Sequence, residues 1–178
     1  MSFSLIFLIG LMIVCMNTIF KNNPLLKNSF TDNVICLLSR QRWFQGPWLS
    51  GLFLFAVNAL LFSSAVLLLY ILIFIQIPYL HIAVMGISVY VSILAWFSIG
   101  KSWDGTRRNR LKMGLIGSSF YVLVSALIIY KECHLKPAYP GDDTFMAAIG
   151  LLAALIVSSV AFIVCLVFTA FSGKRGNV

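Results

Sequence analysis

Long uncharged apolar runs constrain this chain more than any other feature. Stretches such as 65–75 are hydrocarbon on every side and are followed within a few residues by another run of the same kind. A membrane-crossing helix needs about 20 predominantly apolar residues. Five stretches of the 178-residue chain meet or approach that length: 3–20, 49–75, 79–99, 111–130 and 144–171. None has an ionisable residue in its central part. Apolar side chains make up 61% of the sequence and charged ones 10%, too much hydrocarbon for a water-soluble fold of this size to hide. A soluble enzyme, a disordered tail and a coiled coil are excluded on that ground.

The runs lack the apolar–polar alternation of barrel strands. Backbone groups in hydrocarbon must pair within the chain, so the spans are expected to be helices. The fold class is therefore all-α: a polytopic transmembrane helical bundle, with residues 1–178 forming one integral membrane domain. Gln76–Ile77–Pro78 separates the second and third spans, and proline there suits a sharp turn. Asp104–Gly105 signals a turn in the next connection, and Pro137, Pro140 and Gly141 mark the following one as irregular.

Charge gives the orientation. Basic residues concentrate on cytoplasmic connections near span ends. With five spans, the first and third connections share a side with the C-terminus. That side collects Lys21, Lys27, Arg40, Arg42, Lys101, Arg107, Arg108, Arg110, Lys112, Lys174 and Arg175; the other side has only Lys131 and Lys136. With the five acidic residues included, the net charge of +8 divides into +9 on one side and −1 on the other. The expectation is N-terminus outside and C-terminus inside. Trp43, Trp48, Trp96 and Trp103 then fall near the inner interface, and Tyr79, Tyr130 and Tyr139 near the outer one, agreeing with the aromatic enrichment of such interfaces.

The four cysteines show no framework spacing. Cys15 and Cys165 lie in spans as small apolar fillers, Cys36 is expected inside and Cys133 outside. His81 and His134 are both expected outside, where Glu132, Cys133, Asp142 and Asp143 could join them as metal-type ligands, but no two of them show a spacing typical of a metal site. No histidine lies centrally in a span to hold haem. The spans lack the carboxylate pair of an aspartyl-type intramembrane protease, and the chain has no HExxH, GxSxG, P-loop or GxGxxG motif. Asp104–Gly105 beside Arg107 resembles the start of a phospholipid-synthase motif, but the further aspartates that motif needs on the next helix are missing, so it is rejected. No catalytic residue, cofactor or metal is assigned.

The residues left to carry function are few. Arg107, Arg108 and Arg110, with Arg40 and Arg42 of the first connection, are candidates for contact with anionic lipid or an acidic partner, each worth about 1 kcal/mol near a charged surface. Their count is also what topology requires, so nucleic acid is not implied. Within the first connection, Val34, Ile35, Leu37, Leu38 and Phe44 suggest a short interfacial helix, with Thr31 or Asp32 as its cap. Gly150, Ala154 and Ser158 recur every four residues in the last span, and Gly114 and Ser118 repeat the spacing in the fourth. Small residues so spaced allow close helix packing, inside the bundle or with another subunit.

Asn58, Ser63, Ser64, Ser88, Tyr90, Ser92, Ser118, Ser119, Tyr121, Ser125, Ser158 and Ser159 are alternatively the lining of a solute path or hydrogen-bonding glue between helices. Glue is the favoured reading. The sequence thus points to a non-catalytic accessory, regulatory or immunity-type subunit of the cell membrane. Its partners would be membrane lipids and either another membrane protein or a second copy. A small permease or channel component for a neutral solute is the alternative.

The first span has no basic residue before its apolar core and no small residue immediately before Cys15, so retention as an anchor is expected rather than removal as a signal. Mass spectrometry of the protein from membranes should find residues 3–20 still attached; a mature N-terminus beyond residue 20 would overturn this.

Overall fold

A computed structural model describes residues 29–75, 79–137 and 144–171. The expected first span, 3–20, lies outside the described residues. The described chain is helical and contains no strand. It runs through α1 (Ser29–Ser39), a 3₁₀ turn (Arg42–Gln45), α2 (Pro47–Ile75), α3 (Leu80–Ser102), α4 (Arg107–Cys133) and α5 (Phe145–Phe171). Four of these helices are long and apolar enough to cross a membrane, over Pro47–Phe74, Leu80–Ser102, Arg107–Cys133 and Phe145–Ala170.

Helix α2, with 29 residues, is about 43 Å long at 1.5 Å per residue, more than a hydrocarbon core of about 30 Å requires. Pro47 opens α2, a position where its missing N–H costs nothing. Helix α4 begins at Arg107, four residues before the apolar stretch at 111–130, because the backbone turn at Thr106 and not hydropathy sets its start. Tyr79 precedes α3 with φ 65°, a left-handed conformation that costs a non-glycine residue about 1–2 kcal/mol. Its carbonyl accepts the N–H groups of Ile82 and Ala83.

The core sits at one end. Phe44, Leu54, Ile93, Trp96, Ile99, Trp103, Met113, Tyr121, Cys165 and Phe168 form one buried cluster. They come from the 3₁₀ turn, the start of α2, the end of α3 with the connection after it, the start and middle of α4 and the end of α5, which the alternating chain direction brings together. In the other half, over residues 59–75, 80–92, 122–133 and 145–157, no described residue is buried. Large side chains such as Leu60, Phe74, Ile87 and Leu127 face outward there.

Glycines explain where the helices converge. A Cβ on Gly51 of α2 would stand 2.8 Å from Ile116 of α4, and one on Gly114 of α4 would stand 2.7 Å from Thr169 of α5. The space beside Gly117 of α4 is filled by the side chain of Leu54. Lipid gives apolar surface little reason to leave it, so such close backbone approach is a main source of helix association.

Helix α1 lies against α3 at the same end. Thr31 is buried and Leu38 packs on the core, whereas Leu37 points away, so the apolar run 34–38 divides between two faces. Trp43, Phe44 and Phe53 pack edge to face at 5.8–5.9 Å, tying the 3₁₀ turn to α2. Gln45 links the pieces further: its Oε1 accepts the Asp104 N–H at 3.2 Å, and its Nε2 donates to the Ser39 carbonyl at 3.4 Å.

The packing generates a paired prediction. Gly117→Ala places a methyl group against the root of the Leu54 side chain and should destabilise the bundle by about 1–3 kcal/mol. Gly150→Ala, with nothing within 4 Å of the new atom, should stay within about 0.5 kcal/mol of wild type. Thermal melting of both variants in one detergent checks the difference.

Candidate functional site

The chemistry-bearing residues form two groups, one within the bundle and one on its basic end. The inner group centres on Asn58 of α2, which is 0% exposed. Burying an unbonded amide costs several kcal/mol, so its partners decide whether the fold tolerates it. Asn58 Nδ2 donates to the Gly117 carbonyl of α4 at 3.0 Å and to Cys165 Sγ of α5 at 3.6 Å. Asn58 Oδ1 accepts Trp96 Nε1 of α3 at 2.6 Å. One side chain therefore joins all four long helices. The Trp96 ring also meets Tyr121 edge-on at 6.1 Å and Phe168 at 6.5 Å.

Ser158 makes a second link between α4 and α5. Its hydroxyl donates to the Tyr121 carbonyl at 3.0 Å and accepts the Ser125 hydroxyl at 3.0 Å, which uses its single proton once. Other hydroxyls turn back onto their own helices: Ser64 to Leu61, Ser92 to Ser88, Ser118 to Leu115, Ser119 to Ile116 and Ser159 to Leu155. Of the polar residues proposed above, the structure brings Asn58, Tyr121, Ser125 and Ser158 into contacts between helices. Tyr90 faces outward.

The outer group surrounds the four-residue connection from α3 to α4. Arg107 and Arg108 are exposed in the first turn of α4, and Arg40 is exposed just beyond α1. Arg42 opens the 3₁₀ turn. Arg110 has a different setting. It is 8% exposed, its Nη2 donates to the Trp103 carbonyl at 2.6 Å, and its guanidinium carbon lies 5.9 Å from the Trp103 ring. Arg110 stands three residues on from Arg107, on the neighbouring position of the same helix face, and it is packing against Trp103, not the helical period, that encloses its side chain. Lys101 Nζ stands 4.7 Å from the Phe97 ring.

The small residues also separate. Gly114, Ser118 and Ser158 are buried where α4 meets its neighbours, whereas Gly150 and Ala154 are exposed. The last-span stripe thus lies half inside the contact and half on the outer surface. Four participants had no signal in the pattern of motifs: Trp96, Gly117, Cys165 and Trp103. The nearest clue was Asn58 itself, the one amide inside the four expected spans that the structure describes.

A shallow groove of about 70 Å³ runs between α4 and α5 at the opposite end, lined by Ile128, Ile129, Glu132, Cys133, Leu151, Leu152 and Leu155. No cluster of three metal-ligating side chains occurs among the described residues. No family model, curated protein or solved structure matches the chain.

The Asn58 contacts predict coupling. Asn58→Leu strands the Trp96 N–H in hydrocarbon, and losing one partner of a buried hydrogen bond costs about 1–3 kcal/mol. Trp96→Phe should cost less once Asn58 is already Leu than in the wild-type background. A double-mutant cycle of melting temperatures measures the difference; strict additivity would show that the two side chains act independently.

Proposed function

We propose that this chain is a multi-pass protein of the cell membrane that works without catalysis, as an accessory, regulatory or immunity-type subunit acting through helix and loop contacts. The observation that carries this reading is the state of Asn58. Asn58, the one amide in the apolar interior of the long helices, is bonded on both its oxygen and its nitrogen, to three other helices. Ser125 and Ser158 are likewise bonded to each other. Polar groups used in this way are glue, and what the chain presents outward is apolar flank and a basic end.

The charge division supports an orientation in the same reading, with the basic end inside. Cys133 and Cys36 are both exposed and lie on opposite expected sides, so they report it. A membrane-impermeant maleimide should label Cys133 in intact cells and Cys36 only after permeabilisation. The opposite pattern would reverse the orientation.

The role itself is tested by photocrosslinking in native membranes from two positions, Leu127 on the apolar flank and Arg107 on the basic end. A discrete adduct with one membrane protein, at either position, is the expected result. Adducts to lipid alone, together with solute flux in proteoliposomes that Asn58→Leu abolishes, would replace this reading with that of a small permease.

A further inference from the structure

Two hydrogen-bond donors stand enclosed at the basic end with no acceptor among the described residues. Trp103 is 1% exposed and its Nε1 makes no hydrogen bond to them; Arg110 is 8% exposed and its Nε makes none. Each such donor costs about 1–3 kcal/mol if left unpaired. The two belong to one compact unit. Arg110 holds the Trp103 carbonyl through Nη2, and the indole ring covers Gly105, where an added Cβ would stand 2.6 Å from it.

The same unit carries an electrostatic conflict. The first turn of a helix has unpaired N–H groups and a partial positive charge, which favour acidic residues there. Helix α4 has none in its first turn, and Thr106 provides no side-chain cap. Arg107, Arg108, Arg110 and Lys112 instead place four cations on its first two turns. Asp104 is the one carboxylate between Lys101 and Lys112; it is exposed, and its charge acts favourably on Arg110. Unpaired buried donors and a cluster of cations that one carboxylate offsets only in part ask for the same thing, an anionic oxygen acceptor.

We propose that the α3–α4 connection and the first turn of α4 form a phosphate-binding site, in which Trp103 Nε1 and Arg110 Nε are the buried donors and Arg107 and Arg108 the outer cations. The ligand is a phosphate group, borne by a lipid headgroup or free in solution. Because both donors are enclosed, the ligand oxygen enters as the indole turns off Gly105. This site is separate from the Asn58 contacts and does not depend on the accessory role proposed above.

The test uses the full chain with indole-¹⁵N tryptophan in maltoside micelles, which contain no phosphate. Phosphatidylglycerol, diacylglycerol and inorganic phosphate are titrated separately, and Trp103→Phe assigns the Trp103 indole resonance. The resonance should move saturably with phosphatidylglycerol and not with diacylglycerol. The same movement with inorganic phosphate as well would identify a soluble anion as a sufficient ligand. Trp103→Phe keeps an aromatic ring and removes the donor, so phosphatidylglycerol should bind it about tenfold more weakly, as expected for a hydrogen bond to a charged group.

Three results would overturn the proposal: no movement with either phosphate probe, equal movement with diacylglycerol, or undiminished binding by Trp103→Phe. If that variant does not fold, the wild-type titration decides alone, with the Trp103 signal found by elimination after Trp43→Phe, Trp48→Phe and Trp96→Phe.

Discussion

The need to satisfy one amide in hydrocarbon organises the bundle. Asn58 is wholly buried, and its oxygen and nitrogen find partners on α3, α4 and α5. Interhelical hydrogen bonds in membranes average only about 0.6 kcal/mol each, which makes them weak as a source of stability. Their directionality serves another purpose. An apolar helix face can rotate or slide against another at little cost, whereas the 2.6 Å contact from Trp96 to Asn58 holds α2 and α3 at one register. The Gly117 carbonyl is reachable because that residue has no side chain, and the Leu54 side chain fills the space instead.

This arrangement accounts for the uneven distribution of the core. Asn58, Gly51, Gly114 and Gly117 all lie toward the basic end, and the buried aromatic residues gather around them. Beyond Tyr121 and Ser158 the helices are lined outward by Leu, Ile, Val and Phe, for which lipid is as good an environment as protein. Those halves of the helices remain open to lipid or to another apolar surface. Exposed Gly150 and Ala154 lie on this looser half, so the close packing their size permits is not realised within the described bundle.

The basic end has two kinds of arginine although the sequence writes them side by side. Arg107 and Arg108 face outward. Arg110, three residues on from Arg107, turns against Trp103 and holds the connection closed. Loss of charge at the first two would alter long-range attraction to an anionic surface, while loss of Arg110 would release the Trp103 carbonyl and the loop with it.

The sequence by itself determined the helical class, the four long spans within a few residues and the concentration of charge at one end, because each follows from local composition: hydrocarbon runs, proline and glycine breaks, and the placement of Lys and Arg. It also singled out Asn58, Ser158 and Gly114 as residues able to join helices. Which partners they take was decided only in the tertiary structure. Trp96, Gly117 and Cys165 lie 38, 59 and 107 residues from Asn58 along the chain, and no local pattern relates them. The inward turn of Arg110 was hidden for a similar reason: a row of basic residues has one appearance in sequence, and only the packing of α4 against its neighbours selects which member is buried.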